Sequence, residues 1–555
     1  MRAELAIDGH PADPVSLAPC ALKPSRGPVD RFELCLLVAF SALSMWVLAI
    51  DAWQVVFHGR VWTGTDGVYI VDQMQYLAWI RDASHHVLAA NLFVLRPTPA
   101  DYFQPAVAIS GALAALGLSP TLALLLWKPV AVVGLFLGVR SYVHRAISGL
   151  WARRAALTLA LFFGSFTVAY GSFTVLGDLF PVFLSWGYTF ALLALGAMVA
   201  AILLYERDRR RGRVSLWPGV LGAIASLLHP WHGELLALVL IGAELTMWRH
   251  GRRGRLALPL VTLLVIGAAL FYYAVLGHAD PSWTLARQAS KHAFSFWPIG
   301  IYLLPLALPA LLGYRGAPRT FLIAATRSWP VASLSVFVLS ATALGATPLH
   351  AFEGITIPLA LLAVQGVGEL RMMRKAPGPV LARLRVPRVL GGSWMTRRRL
   401  IWVIAIALAT IPGTLMQLNS ARQLAAPTYD NANFIEHDEA SALSYLAARR
   451  EPGGVLTRSY LGAIVPSRTG RHVLVGDCLW SQPGCLTRTA IAQELFTGVL
   501  SSAAARRFVT RAHVRFVLAD CRTHTDLNRL LGPLIVDEDR FGCATIMQLD
   551  PSRWR

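Results

Sequence analysis

The stretch RHGRRGRLALPLVTLLVIGAALFYYAVLG, residues 249–277, decides the fold class of this chain. Its first seven residues include four arginines, whereas the following twenty-two carry no charge. A helix needs about 20 apolar residues to cross the ~30 Å hydrocarbon layer of a bilayer. The stretch therefore predicts a membrane-spanning helix with a basic flank.

Similar charge-free runs recur along the chain, at 34–50, 155–177, 179–205, 328–349 and 400–421. The 555 residues are 55% hydrophobic and only 15% charged, which is more apolar than a soluble core requires. Taken together, the runs predict an α-helical polytopic membrane protein with about eleven transmembrane helices.

The basic residues concentrate in short loops between these runs, at 145–154, 206–213, 249–255 and 371–399. A net charge of +20 could indicate nucleic acid, but this distribution is better explained by membrane orientation. The positive-inside rule places these loops and the N-terminus in the cytoplasm, and no nucleic-acid partner is expected. The Arg- and Ala-rich composition favours a bacterial plasma membrane.

The chain divides into three parts. Residues 1–31 are Pro-rich and are expected to form a disordered cytoplasmic tail. Residues 32–418 form the predicted transmembrane domain, whose first outer loop spans 51–120. Two helices are expected on the outer membrane surface within that loop: the amphipathic DQMQYLAWIRDASHH, from Asp72, and an apolar one from Pro105.

Residues 419–555 have the composition of a soluble α/β domain, with β-type runs GGVLTR, HVLVGD, VRFVLAD and CATIMQL. Four of the six cysteines lie here, which suggests disulfides in an oxidising, extracytoplasmic compartment. Of the three possible pairings we expect Cys478 with Cys485, which bracket the short loop LWSQPG. Cys521 would then pair with Cys543, because each adjoins a β-type run.

Threading the chain through a bilayer places eight ionisable residues at one membrane face. Such groups near hydrocarbon cost about 2 to 4 kcal/mol each and are usually retained for function. The pattern predicts a membrane enzyme or transporter whose chemistry lies outside. The eight are Asp66, Asp72, Asp178, His229, His232, Glu234, His350 and Glu353.

Asp72 is the principal catalytic candidate. It begins the predicted surface helix, and Gln75, Tyr76 and Trp79 share its face by helical spacing. The alternative is that Asp72 only caps the helix, since Asp is a favoured N-cap residue. Capping would not explain the further carboxylates in the outer loops.

The order of DQMQYLAWI, NLF, YFQP and GLSPTLALLLWKPV resembles that in the GT-C glycosyltransferases, which take sugars from polyprenyl-phosphate carriers. Protein O-mannosyltransferases and lipid A aminoarabinose transferases have an Asp-Glu pair, a Pro-rich motif and then a helix that carries a cation. Asp178 in a second outer loop and the C-terminal soluble domain extend the resemblance over the whole chain. The sequence departs from the pattern at Gln73, where those families have Glu.

The resemblance implies that Asp72 is the catalytic base, which removes a proton from the acceptor hydroxyl. It also implies that Asp178 assists, by orienting the acceptor or holding a divalent ion. The leaving lipid phosphate requires a cation, and Lys128 near the outer end of its helix fits. Snorkelling of Lys128 to the interface is the alternative. Asp66 and Tyr76 are further substrate-binding candidates.

Two helical hairpins have polar outer tips. HPWHGE places His229, His232 and Glu234 together, and they could bind Mg²⁺ or Mn²⁺ or simply cap the hairpin. Imidazole is a poor ligand for Mg²⁺, so the sequence assigns no certain cofactor or metal ligand. His350 and Glu353, at the other tip, are expected to line the same cavity as ligands of sugar or phosphate.

We therefore expect a glycosyltransferase that moves a sugar from a polyprenyl-phosphate donor to an extracytoplasmic glycan, lipid or protein acceptor. One rival is a transporter or flippase of a lipid-linked saccharide, but transporters favour internal repeats and polar sites near the midplane. The other rival is a polysaccharide polymerase or ligase, which would rely on basic residues in a large loop towards the C-terminus instead of on carboxylates in the first loop.

Reporter fusions test the predicted orientation. Fusions after Arg213, Arg255 and Arg399 should report the cytoplasm, because arginine-rich loops are retained there. Fusions after Gln104 and at Arg555 should report the outside. A cytoplasmic C-terminus would contradict both the helix count and the family resemblance.

Overall fold

The computed structural model describes residues 29–164, 179–290, 295–341, 347–373, 394–428 and 431–553. Most of these residues are helical. The α-helices are Arg31–Ser44, Trp46–His58, Ile70–His86, Pro105–Ala115, Pro120–Leu125, Trp127–Ala146, Leu150–Phe162, Pro181–Leu184, Thr189–Arg210, Trp217–Leu228, Pro230–Arg249, Ala257–Ala279, Pro281–Ala289, Phe296–Leu311, Phe321–Leu339, Thr356–Met373, Trp394–Leu424, His437–Ala448, Ser459–Thr469, Cys485–Thr497, Ser502–Arg511 and Leu527–Leu531. The strands are β1 Val61–Trp62, β2 Phe434–Ile435, β3 Val455–Leu456, β4 Phe516–Ala519, β5 Ile535–Phe541 and β6 Ala544–Leu549.

The helices of the membrane region confirm a multi-pass membrane protein. Within the described ranges, seven helices are long and apolar enough to cross a bilayer. The first predicted helix is instead a pair, Arg31–Ser44 and Trp46–His58, bent by 45°, and counting it as one span gives eight. The predicted helix at 155–177 runs partly beyond the described residues, and Trp217–Leu228 is short. The count of about eleven remains a prediction.

Arginine–carboxylate ion pairs and the C-terminal segment lie at opposite ends of the helical region. At one end, Arg140 pairs with Glu33 at 2.8 Å and Arg209 pairs with Glu244 at 2.8 Å. The C-terminal segment, residues 431–553, lies at the other end, which we call the domain side. Its loop residue Trp480 packs edge-on against Trp79 and Trp283, with ring centroids 5.2 and 4.7 Å apart.

The first loop contains both predicted helices, Ile70–His86 and Pro105–Ala115. The first of them differs from the expected surface helix because protein covers it. Met74, Ala78 and Ile80 are fully buried, and the helix packs between Pro105–Ala115 and helix Ser459–Thr469 of the C-terminal segment. Its apolar residues are therefore covered by helix Pro105–Ala115 and by the C-terminal segment instead of by lipid.

The C-terminal segment forms a four-stranded sheet of order β3-β4-β6-β5, in which only β3 and β4 are parallel. Three predicted β-type runs contain β3, β4 and β6, while HVLVGD contributes only the isolated bridge at Val473. The sequence IVDEDRF of β5 does not predict a strand, because its charges interrupt the apolar alternation. Such charges suit an exposed sheet edge.

Both predicted disulfides are present. Cys478 pairs with Cys485, and Cys521 pairs with Cys543. The first bond closes the loop that carries Trp480, so it holds the part of the C-terminal segment that contacts the first loop.

A buried polar network joins the same two parts of the chain. Strands β1 and β2 pair in antiparallel fashion, with Val61 opposite Ile435. Beside them, the Asn433 side-chain amide donates to Asp51 Oδ1 at 2.7 Å and accepts from Thr65 Oγ1 at 2.7 Å. Asp51 is 2% exposed, so this amide compensates a carboxyl group removed from water.

Candidate functional site

Asp72 lies in the first turn of helix Ile70–His86. The N-cap of that helix is Tyr69, so Asp72 is not the N-cap residue that the alternative interpretation assumes. Tyr69 has φ 50° and ψ 47°, a left-handed conformation that is strained for a residue with a Cβ. Such strain costs about 1 to 3 kcal/mol and clusters at functional sites.

Tyr188 holds the Asp72 carboxylate. Its hydroxyl donates to Asp72 Oδ2 at 2.8 Å, and its ring stacks on Tyr69 with centroids 4.5 Å apart. The same ring meets His350 edge-on at 5.9 Å. Tyr188 thus connects Asp72 with the second helical hairpin tip. Sequence reasoning missed it, because a tyrosine at the start of an apolar helix carries no distinguishing signal.

The two predicted hairpin tips converge on one carboxylate. Glu353 Oε2 lies 3.3 Å from His229 Nδ1 and 3.5 Å from His232 Nε2, while Oε1 lies 2.9 Å from His350 Nδ1. His229 and His232 are themselves 3.1 Å apart through their Nδ1 atoms. Glu353 is fully buried and His232 is 1% exposed. The expectation that both tips line one site agrees with this geometry.

Glu234 does not join this cluster. It lies half-buried on helix Pro230–Arg249, and it makes no hydrogen bond or ion pair within the described parts of the chain. In the sequence HPWHGE, Glu234 is close to His229 and His232. In the folded chain the two histidines contact Glu353, whereas Glu234 does not.

The donor atoms of the cluster suit a transition metal. One donor atom from each of His229, His232 and Glu353 lies within 4.8 Å of the others. Two imidazoles and one carboxylate form a common ligand set for Zn²⁺, whereas Mg²⁺ prefers oxygen ligands. Within the described ranges, His232 Nε2 is buried without a hydrogen bond. The residues therefore fit a divalent cation of the zinc type better than Mg²⁺.

Asp66 and Lys128 form a buried ion pair. Lys128 Nζ contacts Asp66 Oδ2, and the two residues are 2% and 1% exposed. Gln73, which replaces the Glu of the resembling families, accepts the Asp66 backbone N–H at 2.9 Å and so orders the loop. The pairing was not predicted, because 61 residues of chain separate Asp66 from Lys128.

Of the two remaining candidates, Asp178 and Tyr76, the structure describes only Tyr76. Asp178 lies outside the described residues. Tyr76 lies on the same helix as Asp72 and packs edge-on against Trp79 and Phe190, at 5.6 and 4.9 Å. Desolvation raises the pKa of the Tyr76 hydroxyl, so the side chain stays neutral and acts only as a donor, acceptor or apolar surface.

Asp477 is an acidic residue that sequence reasoning missed. It is 4% exposed, and its Oδ1 accepts the Leu479 N–H at 2.8 Å. Burial, together with the charge of nearby Asp72, raises the pKa of Asp477 to about 7. One sequence feature could have indicated Asp477: it ends the β-type run HVLVGD and directly precedes Cys478.

Comparison of the sequence with known proteins finds neither a matching family model nor a matching curated protein. The structure, however, is similar to solved GT-C enzymes. Archaeal oligosaccharyltransferase AglB from Archaeoglobus fulgidus, in complex with an inhibitory peptide and a dolichol-phosphate, has a TM-score of 0.54 at 12% identity. That match covers 90% of this chain and 71% of AglB.

ArnT from Cupriavidus metallidurans, a lipid A aminoarabinose transferase solved in the apo state, has a TM-score of 0.51 at 16% identity. The match covers 94% of this chain and 98% of ArnT. The resemblance inferred from the sequence is therefore confirmed at the level of the GT-C fold.

The Asp66–Lys128 pair gives a stability prediction. Lys128→Met should strongly destabilise the protein, by about 3 to 5 kcal/mol, because it leaves the buried Asp66 charge without its partner. The double variant Asp66→Asn/Lys128→Met should recover part of that loss. Thermal unfolding of the purified protein in detergent measures both. Equal stability of Lys128→Met and wild type would show that the pair is not buried as described.

Proposed function

We propose that this chain is a GT-C-type glycosyltransferase that moves a sugar from a polyprenyl-phosphate donor to an extracytoplasmic acceptor. The observation that carries the proposal is Asp72, half-buried and held by Tyr188 beside the histidine–glutamate cluster on a GT-C fold. The dolichol-phosphate bound by AglB supports a lipid-phosphate donor.

In the proposed reaction Asp72 is the general base. The acceptor hydroxyl gives its proton to the Asp72 carboxylate while its oxygen forms a bond to the anomeric carbon. The bond from that carbon to the phosphate oxygen breaks, and its electron pair leaves with polyprenyl phosphate. Tyr188 fixes the orientation of the carboxylate, which a general base needs for proton transfer.

The proposal gives the remaining polar residues supporting roles. Asp178 would orient the acceptor, and Tyr76 and His350 would contact the substrates. Lys128 would face the lipid phosphate, with Asp66 holding its ammonium group in place. Glu234 stays a substrate-binding candidate on the same hairpin tip.

His229, His232 and Glu353 would hold a divalent cation, which when bound would offset the negative charge of the donor phosphate. The short distances from Glu353 to the imidazoles support this role, because one ion could replace the mutual contacts of all three residues.

The proposed setting is a bacterial plasma membrane, with the tail 1–31 and the arginine loops in the cytoplasm. The transmembrane domain, 32–418, and the extracytoplasmic domain, 419–555, would then place Asp72 and the C-terminal sheet outside. The disulfides Cys478–Cys485 and Cys521–Cys543 support this orientation, since disulfides persist in oxidising compartments.

A transporter is less favoured, because the polar cluster lies at hairpin tips and not near the membrane midplane.

Asp72→Asn should slow sugar transfer by roughly 10² to 10⁴-fold, because it removes the base and keeps the side-chain shape. Transfer of radiolabelled sugar from a polyprenyl-phosphate donor in membrane vesicles measures the rate. Asp526→Asn is the matched control, since Asp526 is an exposed helix cap and Asn caps about as well. Near-normal transfer by a correctly inserted Asp72→Asn protein would remove Asp72 from the mechanism.

The cation site predicts metal content. Wild-type protein purified after growth with zinc should retain stoichiometric zinc, and His232→Ala and Glu353→Gln should lose it, because each removes a ligand. Mass spectrometry of the metal content measures this without an activity assay. Glu234→Gln on the same tip is the control and should keep the metal. Equal metal content in all variants would contradict the site.

A further inference from the structure

Asp477 is a buried carboxyl group of the C-terminal segment to which the proposed reaction assigns no role. It is 4% exposed, and its Oδ1 accepts the Leu479 N–H at 2.8 Å. Its Oδ2 is buried as well, and no group in the described parts of the chain forms a hydrogen bond with it. Buried polar atoms without a partner are costly and rare in folded proteins. The Oδ2 atom therefore points to a ligand group that completes it.

Two contacts place the loop of Asp477 alongside the helix that carries the proposed base. Directly before Asp477 in the chain, Gly476 lines the same cavity as Val71, at the start of that helix. Three residues after Asp477, the ring of Trp480 packs edge-on against Trp79, with centroids 5.2 Å apart. Asp477 comes between these two contacts, so it lies beside the part of the helix that they enclose.

That part of the helix presents Asp72. Asp72, Tyr76 and Trp79 are spaced by four and three residues, which puts them on one helical face. The loop of Asp477 contacts this face through Trp79. The carboxyl groups of Asp72 and Asp477 thus lie next to each other, although one belongs to the first loop and the other to the C-terminal segment.

The Asp477 side chain is held in this place by its own loop. Its main-chain carbonyl accepts the Ser481 N–H at 2.6 Å, and the Cys478–Cys485 bond closes the loop. The Asn91 side chain of the first loop donates to the Trp480 carbonyl at 3.0 Å. Since Oδ1 is already bonded, the direction of Oδ2 is fixed as well. A group that contacts a substrate needs such a fixed position.

Within the described ranges, no cation forms an ion pair with Asp477. The tyrosines on the two facing helices, Tyr76 and Tyr460, stay neutral, because burial raises the pKa of each hydroxyl. Four arginines near the loop contact other groups: Arg458 the Asp520 carboxylate at 3.1 Å, Arg488 the Ser481 and Pro483 carbonyls, Arg522 the Tyr460 ring at 4.1 Å, and Arg287 the region of Gly277.

These surroundings favour the protonated form of Asp477. Burial first, and then the charge of Asp72, raise the pKa of Asp477 to about 7, against the opposing effect of two backbone N–H groups. Two adjacent carboxyl groups share protons as a pair, because ionising both at once is unfavourable. The pair is therefore expected to carry one charge near neutral pH, on Asp72.

We propose that Asp477 is a second acid of the site, which keeps its proton and donates its Oδ2–H to an oxygen of the bound acceptor. The hydroxyl that Asp72 deprotonates would lie next to that oxygen. The acceptor proton still passes to Asp72, and Asp477 ends the transfer in the form in which it began. This inference rests on the proposed glycosyl transfer and adds to it a residue of the C-terminal segment.

Infrared spectroscopy tests for the proton without a substrate, because carboxylic acids and carboxylates absorb at different frequencies. Spectra of the purified full-length protein in detergent are recorded on both sides of pH 7. Subtracting the Asp477→Asn spectrum from that of wild type isolates the Asp477 band, since all other carboxyl groups occur in both. The band should change from acid to carboxylate as the pH rises through about 7. In an Asp72→Asn background this change should occur at lower pH, because the charge of Asp72 is absent.

A band that is carboxylate throughout would overturn the inference, and so would a midpoint that Asp72→Asn leaves unchanged. Asp526→Asn, at the exposed helix cap, is the matched control and should leave the Asp477 band in place.

The pH dependence of sugar transfer tests what the proton does. In membrane vesicles whose inner and outer pH are equalised with a protonophore, wild-type transfer should fall above about pH 7, by up to about tenfold per pH unit. Asp477→Asn keeps a neutral donor of the same shape, so it should retain transfer and lose this fall. Asp477→Leu removes the donor and should be slower by roughly tenfold at every pH. A wild-type pH profile in Asp477→Asn, or wild-type rates in Asp477→Leu, would overturn the inference.

Failure of this inference differs from failure of the proposed transfer. If the Asp477 acid band is missing while wild type transfers sugar and Asp72→Asn does not, the transfer stands and the role of Asp477 falls. If wild type transfers no sugar from the polyprenyl-phosphate donor, the proposed transfer fails, and the acceptor role of Asp477 fails with it whatever the spectra show.

Discussion

The hydrogen bond from Asn433 to Asp51 holds the C-terminal segment against the membrane region. Asp51 lies within the bent first helix pair and is almost wholly removed from water, so its carboxyl group needs a polar partner. Asn433 supplies that partner, and its carbonyl accepts from Thr65 in the first loop. One amide thereby ties together the first helix pair, the first loop and the C-terminal segment.

The need of buried ionisable groups for polar partners also shapes the rest of the site. Buried charges must be compensated, and here the compensation comes from distant parts of the chain. Lys128 of helix Trp127–Ala146 compensates Asp66 of the first loop, and the imidazoles of His229 and His232 lie against Glu353 of the other hairpin tip. Each compensated group fixes two elements relative to each other. The polar side chains at the domain side therefore help to fix how the loops pack against one another.

The C-terminal segment also contributes side chains that pack against the first loop. Its Cys478–Cys485 bond closes the loop that places Trp480 edge-on against both Trp79 and Trp283. Asp477 precedes this loop and lies close enough to Asp72 for the charge of one to affect the pKa of the other. The fold is similar to that of the solved GT-C enzymes at only 12 to 16% sequence identity.

The sequence by itself determined the membrane class, both disulfides and the helices of the first loop, and it named His229, His232, His350 and Glu353, which the structure brings together. These features follow from local patterns. Apolar runs reflect the need to fill the hydrocarbon layer, arginine loops reflect retention in the cytoplasm, and the cysteine spacing fits disulfides in an oxidising compartment. Only the tertiary structure decided that Asp66 pairs with Lys128, that Tyr188 holds Asp72 and that Glu234 stays outside the histidine cluster. It also decided that helix Ile70–His86 is covered by protein and that Asp477 lies near Asp72. These are contacts between residues far apart in the chain. The free energy of such contacts depends on distance and burial in three dimensions, which no local pattern of residues records.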